Sequence, residues 1–141
     1  MELSLNSLQE AGAFAGAPVE KEIKWTQAGK DLCVTAYVRR DSYRSTVASV
    51  MANGDDAIAG RIASCICDKN GTPVFTVEDI TGTAIIYDND SEEEKKRKKA
   101  IVERGPISNA LTIALLTAIG EVNGILNKKK RADGKRANRR R

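Results

Sequence analysis

Hydrophobic and polar residues alternate in two neighbouring segments near the start of the chain. In the first segment, Val19, Ile23 and Trp25 fall on one side of an extended chain, and the glutamates fall on the other. The second segment alternates in the same way and follows a short loop that contains a glycine. A period of two is typical of strands with one buried face, and such a loop joins antiparallel neighbours. The pattern predicts a hairpin with strands at about 18–25 and 31–39.

Two other segments carry apolar residues at helical spacing. These residues recur at intervals that place them on one face of a helix, and the first segment ends at an Asn-Gly stop signal. The pattern predicts a helix at about 42–52 and a long amphipathic helix at about 107–127, while residues 3–14 indicate a short helical turn or an ordered arm. The apolar positions are Tyr43, Val47, Val50 and Met51 in the first helix, and Ile107, Leu111, Ala114, Leu115, Ala118, Ile119, Val122, Ile125 and Leu126 in the second.

The segment 87–104 is dominated by charge, with acidic residues leading and basic residues following. Acid–base pairs four residues apart stabilise a helix when the acid comes first. The segment therefore predicts a largely solvated helix at about 91–104, capped by Asp90 or Ser91. The expected pairs are Glu92 with Lys96, Glu93 with Arg97, and Glu94 with Lys98.

The middle of the chain holds the densest structural signals. Alternation of apolar and polar residues favours a strand at 60–67, although isoleucines spaced by four also fit a helix. Asn70-Gly71 then predicts a tight turn, because both residues tolerate positive φ. A second short strand is predicted at 72–75, and Thr76, which two acids follow, is predicted to begin a helix.

Together these elements predict an α+β fold with a small antiparallel sheet packed against helices. We expect the helix near 42–52 and the final helix to cover the sheet, and the charged helix to lie on the surface. Residues 1–127 are predicted to form a single domain. Residues 128–141 are predicted to form a disordered basic tail, because they have almost nothing apolar to bury.

Charge is distributed unevenly along the 141 residues. The net charge of +4 conceals a tail with nine basic residues and one acid, so the rest of the chain is mildly acidic. Phosphates attract such a tail without any readout of sequence, and we expect only non-specific binding of nucleic acid through it. The tail residues that would bind a polyanion are Lys128, Lys129, Lys130, Arg131, Lys135, Arg136, Arg139, Arg140 and Arg141.

Candidate catalytic and metal-binding residues are few. The chain has no histidine, which removes the commonest general base and the commonest metal ligand. Cys33, Cys65 and Cys67 cannot complete a four-ligand zinc site alone, and we expect them to be small, mostly buried thiols. The loop that begins at Asp68 lacks the later ligands of a calcium loop. The sequence predicts a non-enzymatic protein without cofactor or metal, and no apolar run is long enough to span a membrane.

Two segments together resemble a known family. The first runs from Leu5 to Trp25 as LxxLxEAGxFxGAPVEKxIxW, and the second is RIASCICDKNGTPVFTVEDI at 61–80. In both, the chain is similar to the tail assembly chaperones of long-tailed bacteriophages of the lambdoid, siphovirus type. In that family the pattern D-x-x-G-x-P-x-F-T-x-E-D precedes a helical end with a late asparagine. The matching residues here are Asp68, Gly71, Pro73, Phe75, Thr76, Glu78, Asp79 and Asn123.

The resemblance implies a protein of the host bacterial cytoplasm that is absent from the mature virion. Such chaperones coat the long, largely helical tape measure protein and keep it soluble. They give way to the tail tube protein as the tail polymerises. The resemblance also implies that a longer form can arise by translational frameshifting near the end of the reading frame.

The apolar face of the final helix is the predicted partner-binding surface. We expect Leu111, Leu115, Ile119 and Val122 to pack partly on the sheet and partly against a helical partner, and the sheet edge beside Pro73 to contribute. A homo-oligomer is expected as well, because a chain poor in aromatic residues gains stability from a subunit interface. The alternative is a nucleic-acid-binding accessory protein that acts through the basic tail.

Overall fold

The computed structural model describes residues 2–51 and 56–124 of the chain. The elements are α1 (Leu5–Glu10), β1 (Val19–Gln27), β2 (Lys30–Val38), α2 (Tyr43–Met51), α3 (Ala57–Cys65), β3 (Ile66–Cys67), α4 (Val77–Thr81), α5 (Glu92–Arg104) and α6 (Asn109–Val122). Over the described residues the three strands form one antiparallel sheet in the order β1-β2-β3. The predicted α+β class, with an antiparallel sheet and a C-terminal helix, is confirmed.

The hairpin of β1 and β2 is the framework of the sheet. All nine residues of β1 pair with β2, up to Gln27 opposite Lys30 at the turn. The turn consists of Ala28 and Gly29, and both have positive φ, 51° and 77°. Two positive φ values define a turn whose twist matches that of the strands it joins. The hairpin prediction is confirmed, and both strands reach further towards the turn than predicted.

The predicted strand at 60–67 is wrong, because most of that segment belongs to α3. The helix places Ile62 and Cys65 on one face, and both side chains are fully buried. A strand would have sent residues three apart to opposite faces of the sheet. The four-residue spacing of the isoleucines was therefore the informative signal. Only β3 is extended, where its two residues pair with Tyr37 and Val38 of β2.

The predicted strand at 72–75 is also wrong. The segment makes a single isolated bridge, between Cys67 and Pro73. Proline has no N–H to donate to a strand ladder, so the pairing stops where it begins. The sheet consequently ends after β3, and the rest of β2 has no partner strand on that side within the described residues.

The core lies between the sheet and the helices α3, α4 and α6. α6 packs mainly on β1, and α3 contacts both α4 and α6. Each element contributes branched aliphatic side chains that are almost completely buried: Ile23 and Val38 from the sheet, Ile62 from α3, Ile80 from α4 and Ile119 from α6. The predicted packing of the final helix on the sheet is therefore confirmed.

The helix predicted at 42–52 is confirmed as α2, but its predicted position over the sheet is wrong. α2 packs mainly against α3. As a result Tyr43, Val50 and Met51, which the helical periodicity assigned to a buried face, are largely exposed.

The charged helix is confirmed as α5, with Ser91 as its cap: the backbone N–H of Glu94 donates to Ser91 Oγ at 3.1 Å. Its predicted ion pairs four residues apart are not those observed. The described pairs within the helix are three residues apart, at Glu92–Lys95 and Glu94–Arg97.

One lysine of α5 is buried, which the charge pattern did not predict. Lys98 Nζ donates to Asp90 Oδ2 at 2.7 Å and to the carbonyl of Ile85 at 2.9 Å. It also lies 4.9 Å from the centre of the Tyr87 ring. The hydrogen bond from Lys98 is the main cause that lowers the pKa of Asp90. These contacts tie α5 to the loop before it, so the helix is not merely a solvated insert.

The predicted end of the final helix at 127 and the predicted disordered tail at 128–141 lie outside the described residues. Within those residues, no single helix has the length and apolar composition to cross a membrane. α5 and α6 meet these two criteria only as a pair, and they are bent by 102° relative to one another.

Candidate partner-binding surface

An open apolar groove lies where β3 stops and β2 continues without a partner strand. Its volume is about 360 Å³. We call it the apolar groove, and it is lined by Ile23, Trp25, Val34, Thr35, Ala36, Tyr37, Ile66, Cys67, Asp68, Lys69, Val74, Phe75, Leu111 and Leu115. The sheet, the loop after β3 and α6 all contribute to it, so the groove exists only in the folded chain.

The side of the groove formed by β2 follows from the strand register. Val34 and Ala36 lie on the same face of β2 as the buried Val38, because side chains two residues apart share a face. That face is covered at the Val38 end and becomes progressively more exposed towards Val34, where β3 no longer pairs with β2. An apolar strand face and an unpaired backbone edge therefore lie side by side.

The turn after β3 determines where the sheet ends. Asp68 Oδ1 accepts hydrogen bonds from the backbone N–H groups of Asn70, at 2.8 Å, and Thr72, at 2.9 Å. Gly71 has a φ of 86° and donates to the Asp68 carbonyl at 3.0 Å. The predicted Asn-Gly turn is confirmed. The Asp68 carboxylate is used to hold this turn.

An arginine fixes this turn against the sheet. The Arg39 guanidinium donates to the carbonyl of Gly71, and the backbone N–H of Arg39 donates to the carbonyl of Cys65 at 2.7 Å. A Cβ at Gly71 would lie 2.7 Å from the Nη2 atom of Arg39, so the guanidinium would have to move to admit it. The residue after β2 thus positions the loop that carries Val74 and Phe75 into the groove.

The structure separates the four predicted partner-binding residues. Leu111 and Leu115 line the apolar groove. Leu115 is only 3% exposed, so it forms the floor, whereas Leu111 is half-buried and more accessible. Ile119 is completely buried in the core, and Val122 is half-buried against it. Contact of these residues with a partner stays a prediction, and the accessible part of the face is at Leu111.

Two of the three cysteines are buried and disfavoured as nucleophiles. Cys65 and Cys67 are buried as predicted, whereas Cys33 is exposed on β2, contrary to the prediction. Burial is the main cause that raises the pKa of both the Cys65 and the Cys67 thiols, which disfavours the nucleophilic thiolate. The described residues also contain no cluster of three or more histidine, cysteine or acidic side chains that could hold a metal ion.

Sequence reasoning missed several residues of the groove. Trp25 and Val34 were assigned to strands without a binding role, and Val74 and Phe75 were assigned to a strand that does not form. The signal for Phe75 was present, because it belongs to the motif that carried the resemblance. For Val34 no signal was available, since its exposure depends on where a distant strand ends.

A comparison with known protein families gives a match over most of the chain. The family model of the phage tail assembly chaperones matches residues 6–123. The chain belongs to the phage tail assembly chaperone family. No curated protein and no solved structure matches the chain. Membership of the family implies that phage tail proteins in general are its partners, and the role of the family is that of a chaperone rather than of an enzyme.

The range matched by the family model covers most of this tail assembly chaperone but leaves out the basic end of the chain. It includes α5, so the charged helix lies inside the family region, and it excludes residues 128–141, which carry the basic cluster. Two residues of the family-like motif stabilise a helix start. Thr76 and Asp79 form a reciprocal cap of α4, with N–H to oxygen distances of 2.9 and 3.1 Å. The N–H of Thr76 is the main cause that lowers the pKa of Asp79.

The late asparagine of the motif has a comparable role in the chaperone. Asn123 Oδ1 accepts from the backbone N–H of Asp41 at 2.7 Å, and its amide donates to the carbonyl of Ile119 at 2.8 Å. It therefore joins the end of α6 to the connection between β2 and α2. Thr76, Asp79 and Asn123 of the motif therefore hold the fold together, whereas Asp68 and Phe75 of the motif line the apolar groove.

Proposed function

We propose that this tail assembly chaperone binds the tape measure protein of its phage and keeps it soluble until the tail tube protein polymerises around it. The family match supports the chaperone role, and the observation that carries the finer assignment is the apolar groove. Its lining is mostly aliphatic and aromatic, and it opens to solvent between the sheet and α6. A long helical client has apolar stripes that would otherwise aggregate, and a groove of this kind covers them.

The dimensions of the groove suit repeated, reversible binding. A volume of about 360 Å³ accommodates a few apolar side chains, not a whole helix face. Each copy would therefore contribute modest affinity, because the apolar area that it buries is small. Many copies along one client would keep it soluble, and each could still be displaced when tube subunits arrive. The polar residues Asp68 and Lys69 lie at the rim and would orient the client rather than hold it.

Exposed apolar residues elsewhere support a binding role. Tyr43, Val50 and Met51 on α2 are largely exposed as well, so α2 offers a second apolar surface to a partner. We assign the apolar groove as the primary client site, because an apolar strand face and an unpaired strand edge meet there. The action of the chaperone in the host cytoplasm, and its absence from the mature virion, belong to the same proposal.

Replacing Val34 by lysine tests the groove. Val34 is 47% exposed, so the substitution leaves the core intact, but it places a charge at the mouth of the groove. We expect V34K to weaken client binding by about tenfold, since an apolar contact is lost and an ammonium must be desolvated. The measurement is the soluble fraction of co-expressed tape measure protein, followed by affinity from a titration with a soluble tape measure fragment.

The matched control is Val102→Lys on α5, where a valine is 50% exposed and is not part of the groove lining. V102K should leave client binding unchanged. Equal effects of the two substitutions, or none from V34K in a folded chain, would contradict the groove assignment. Leu115→Asp is a poorer test of the same face, because Leu115 is buried and the change is expected to unfold the protein.

Truncation after Asn127 separates the proposed function from the nucleic-acid alternative. The nine basic residues that follow residue 127 favour that alternative. The shortened chain should retain tape measure solubilisation and lose nearly all affinity for DNA or RNA, because its remaining charge is mildly acidic. Loss of client binding together with nucleic-acid binding would instead assign the client-binding surface to the tail.

Mass spectrometry of purified virions tests the predicted absence of the protein from the mature virion.

A further inference from the structure

The outer edge of β1 is a second unused surface of the sheet. β1 is nine residues long, and in the described part of the chain its only partner strand is β2. A long strand edge presents a row of N–H and C=O groups that can pair with another strand. Side chains decide whether such an edge repels or accepts a partner.

The hairpin turn determines which residues of β1 face outwards along this edge. A two-residue turn makes the flanking residues, Gln27 and Lys30, a hydrogen-bonded pair. Every second residue before Gln27 therefore bonds to β2, and the residues between them direct their backbone groups to the open edge. The outward residues are Glu20, Glu22, Lys24 and Thr26.

The charges of these outward residues favour one antiparallel register between two copies, the one that sets opposite charges against each other. Centring the pairing on Ile23 sets Glu22 opposite Lys24 of the second copy, and by symmetry the same pair forms twice. Centring it on Glu22 or on Lys24 would set like charges directly opposite each other, which is destabilising. Within one chain the Glu22 and Lys24 side chains are already only 3.6 Å apart at their closest polar atoms. The edge is thus complementary to itself in one register.

The surface beside this edge is also shaped to receive a second copy. A groove of about 530 Å³ runs between the edge of β1 and α6. On the helix side it is lined by the small residues Ala110, Ala114 and Thr117, and by Ile113, whose side chain is largely exposed. Small residues let two helices approach closely, and an exposed isoleucine gains by being covered.

We propose that two copies of this chaperone pair through β1 in an antiparallel register centred on Ile23, with the α6 helices lying side by side. The three-stranded sheet of each copy then becomes half of a continuous six-stranded sheet. The interface is isologous, as expected for a two-fold dimer. The apolar groove lies at β2, the loop after β3 and the Leu111 side of α6, whereas the dimer uses the open edge of β1 and the Ile113 side of α6. Trp25 borders both grooves, but the mouth of the apolar groove at Val34 lies outside the dimer contact, so the groove stays accessible and the dimer is independent of the client-binding proposal.

Charge reversal at the pair of residues 22 and 24 tests this dimer with the full chain. Glu22→Lys alone and Lys24→Glu alone each set like charges opposite one another twice. Each should weaken self-association by about tenfold or more, as measured by sedimentation equilibrium. The two variants mixed in equal amounts should form a heterodimer of wild-type affinity, because every cross-copy pair is again of opposite charge. Their cross-strand neighbours within the chain, Thr35 and Cys33, are uncharged and add no new repulsion.

The matched control is Glu20→Lys, which makes the same charge change on the same edge but faces Thr26 of the second copy. It should leave the dimer affinity unchanged within about twofold, because an ion pair is neither made nor lost. Ile113→Lys should weaken the dimer without unfolding the chain, since Ile113 is 56% exposed. Circular dichroism confirms that each variant is folded. A monomeric wild-type chain up to near-millimolar concentration would overturn the proposal, as would failure of the mixed variants to associate.

Discussion

Replacing Gly82 by alanine is expected to lower the free energy of unfolding by about 3 to 4 kcal/mol. Gly82 ends α4 in the left-handed conformation, with a φ of 70°. A Cβ there would overlap the backbone nitrogen of Pro106 and the carbonyl carbon of Gly105, and would lie 2.8 Å from the Gly105 oxygen. Backbone atoms cannot rotate away, so the connection to α6 would have to shift.

The control for this prediction is Gly12→Ala. Gly12 has nearly the same φ, 72°, but no atom lies within 4 Å of the position of its Cβ. It therefore bears the left-handed strain alone, at a cost of about 1 kcal/mol. Urea unfolding of both variants measures the difference. Equal destabilisation would show that the contact between Gly82 and the Gly105-Pro106 segment does not matter. Directly after that segment, the backbone N–H of Ile107 donates to the Ile80 carbonyl of α4 at 3.2 Å.

Replacing Ile119 by alanine is expected to cost about 3 kcal/mol of stability, a large part of the 5 to 15 kcal/mol typical of a native domain. Ile119 is completely buried where α6 meets the sheet. The truncation removes buried methyl groups and leaves a cavity that rigid neighbours fill only partly. The prediction matters for function, because it treats this residue as core rather than as a partner contact.

Ile58→Ala is the matched control, since Ile58 is also an isoleucine in a helix but is 55% exposed. It should cost less than about 1 kcal/mol. The two variants should also separate stability from binding. At temperatures where Ile119→Ala is still folded, its affinity for a tape measure fragment should match the wild type. A stable Ile119→Ala chain with weakened client binding would contradict its assignment to the core.

The core and the proposed client site share one helix, and this explains how sequence reasoning succeeded in part. The apolar periodicity of the final helix correctly identified Leu111, Leu115 and Ile119 as one face. Periodicity reports that a face is covered, but it does not report by what. In the folded chain most of that face is covered by the sheet, and only the part at Leu111 and Leu115 reaches the groove.

The error at α3 and β3 has a different cause. A short apolar run with small polar residues fits both a strand and a helix, and local alternation gave the wrong choice. The helical conformation of this segment is favoured because it buries Ile62 and Cys65 together against α4 and α6, whereas a strand would bury only one of them. α2 is exposed because it packs mainly on α3 rather than on the sheet. The buried Lys98 could not be predicted either, since its partners Asp90 and the Ile85 carbonyl come from a loop without a periodic pattern.

The sequence alone determined the features that depend on neighbouring residues. These are the β1–β2 hairpin, the Asn70-Gly71 turn, the caps at Thr76 and Ser91, and the apolar face of α6. Tertiary structure decided the features that depend on distant segments meeting. The sheet ends after β3 because the Asp68 turn and Pro73 stop the ladder, and this leaves the edge of β2 open beside Leu111. The apolar groove exists because this edge is open. A local sequence pattern cannot predict that, because the pairing of a strand depends on residues that are distant in the sequence.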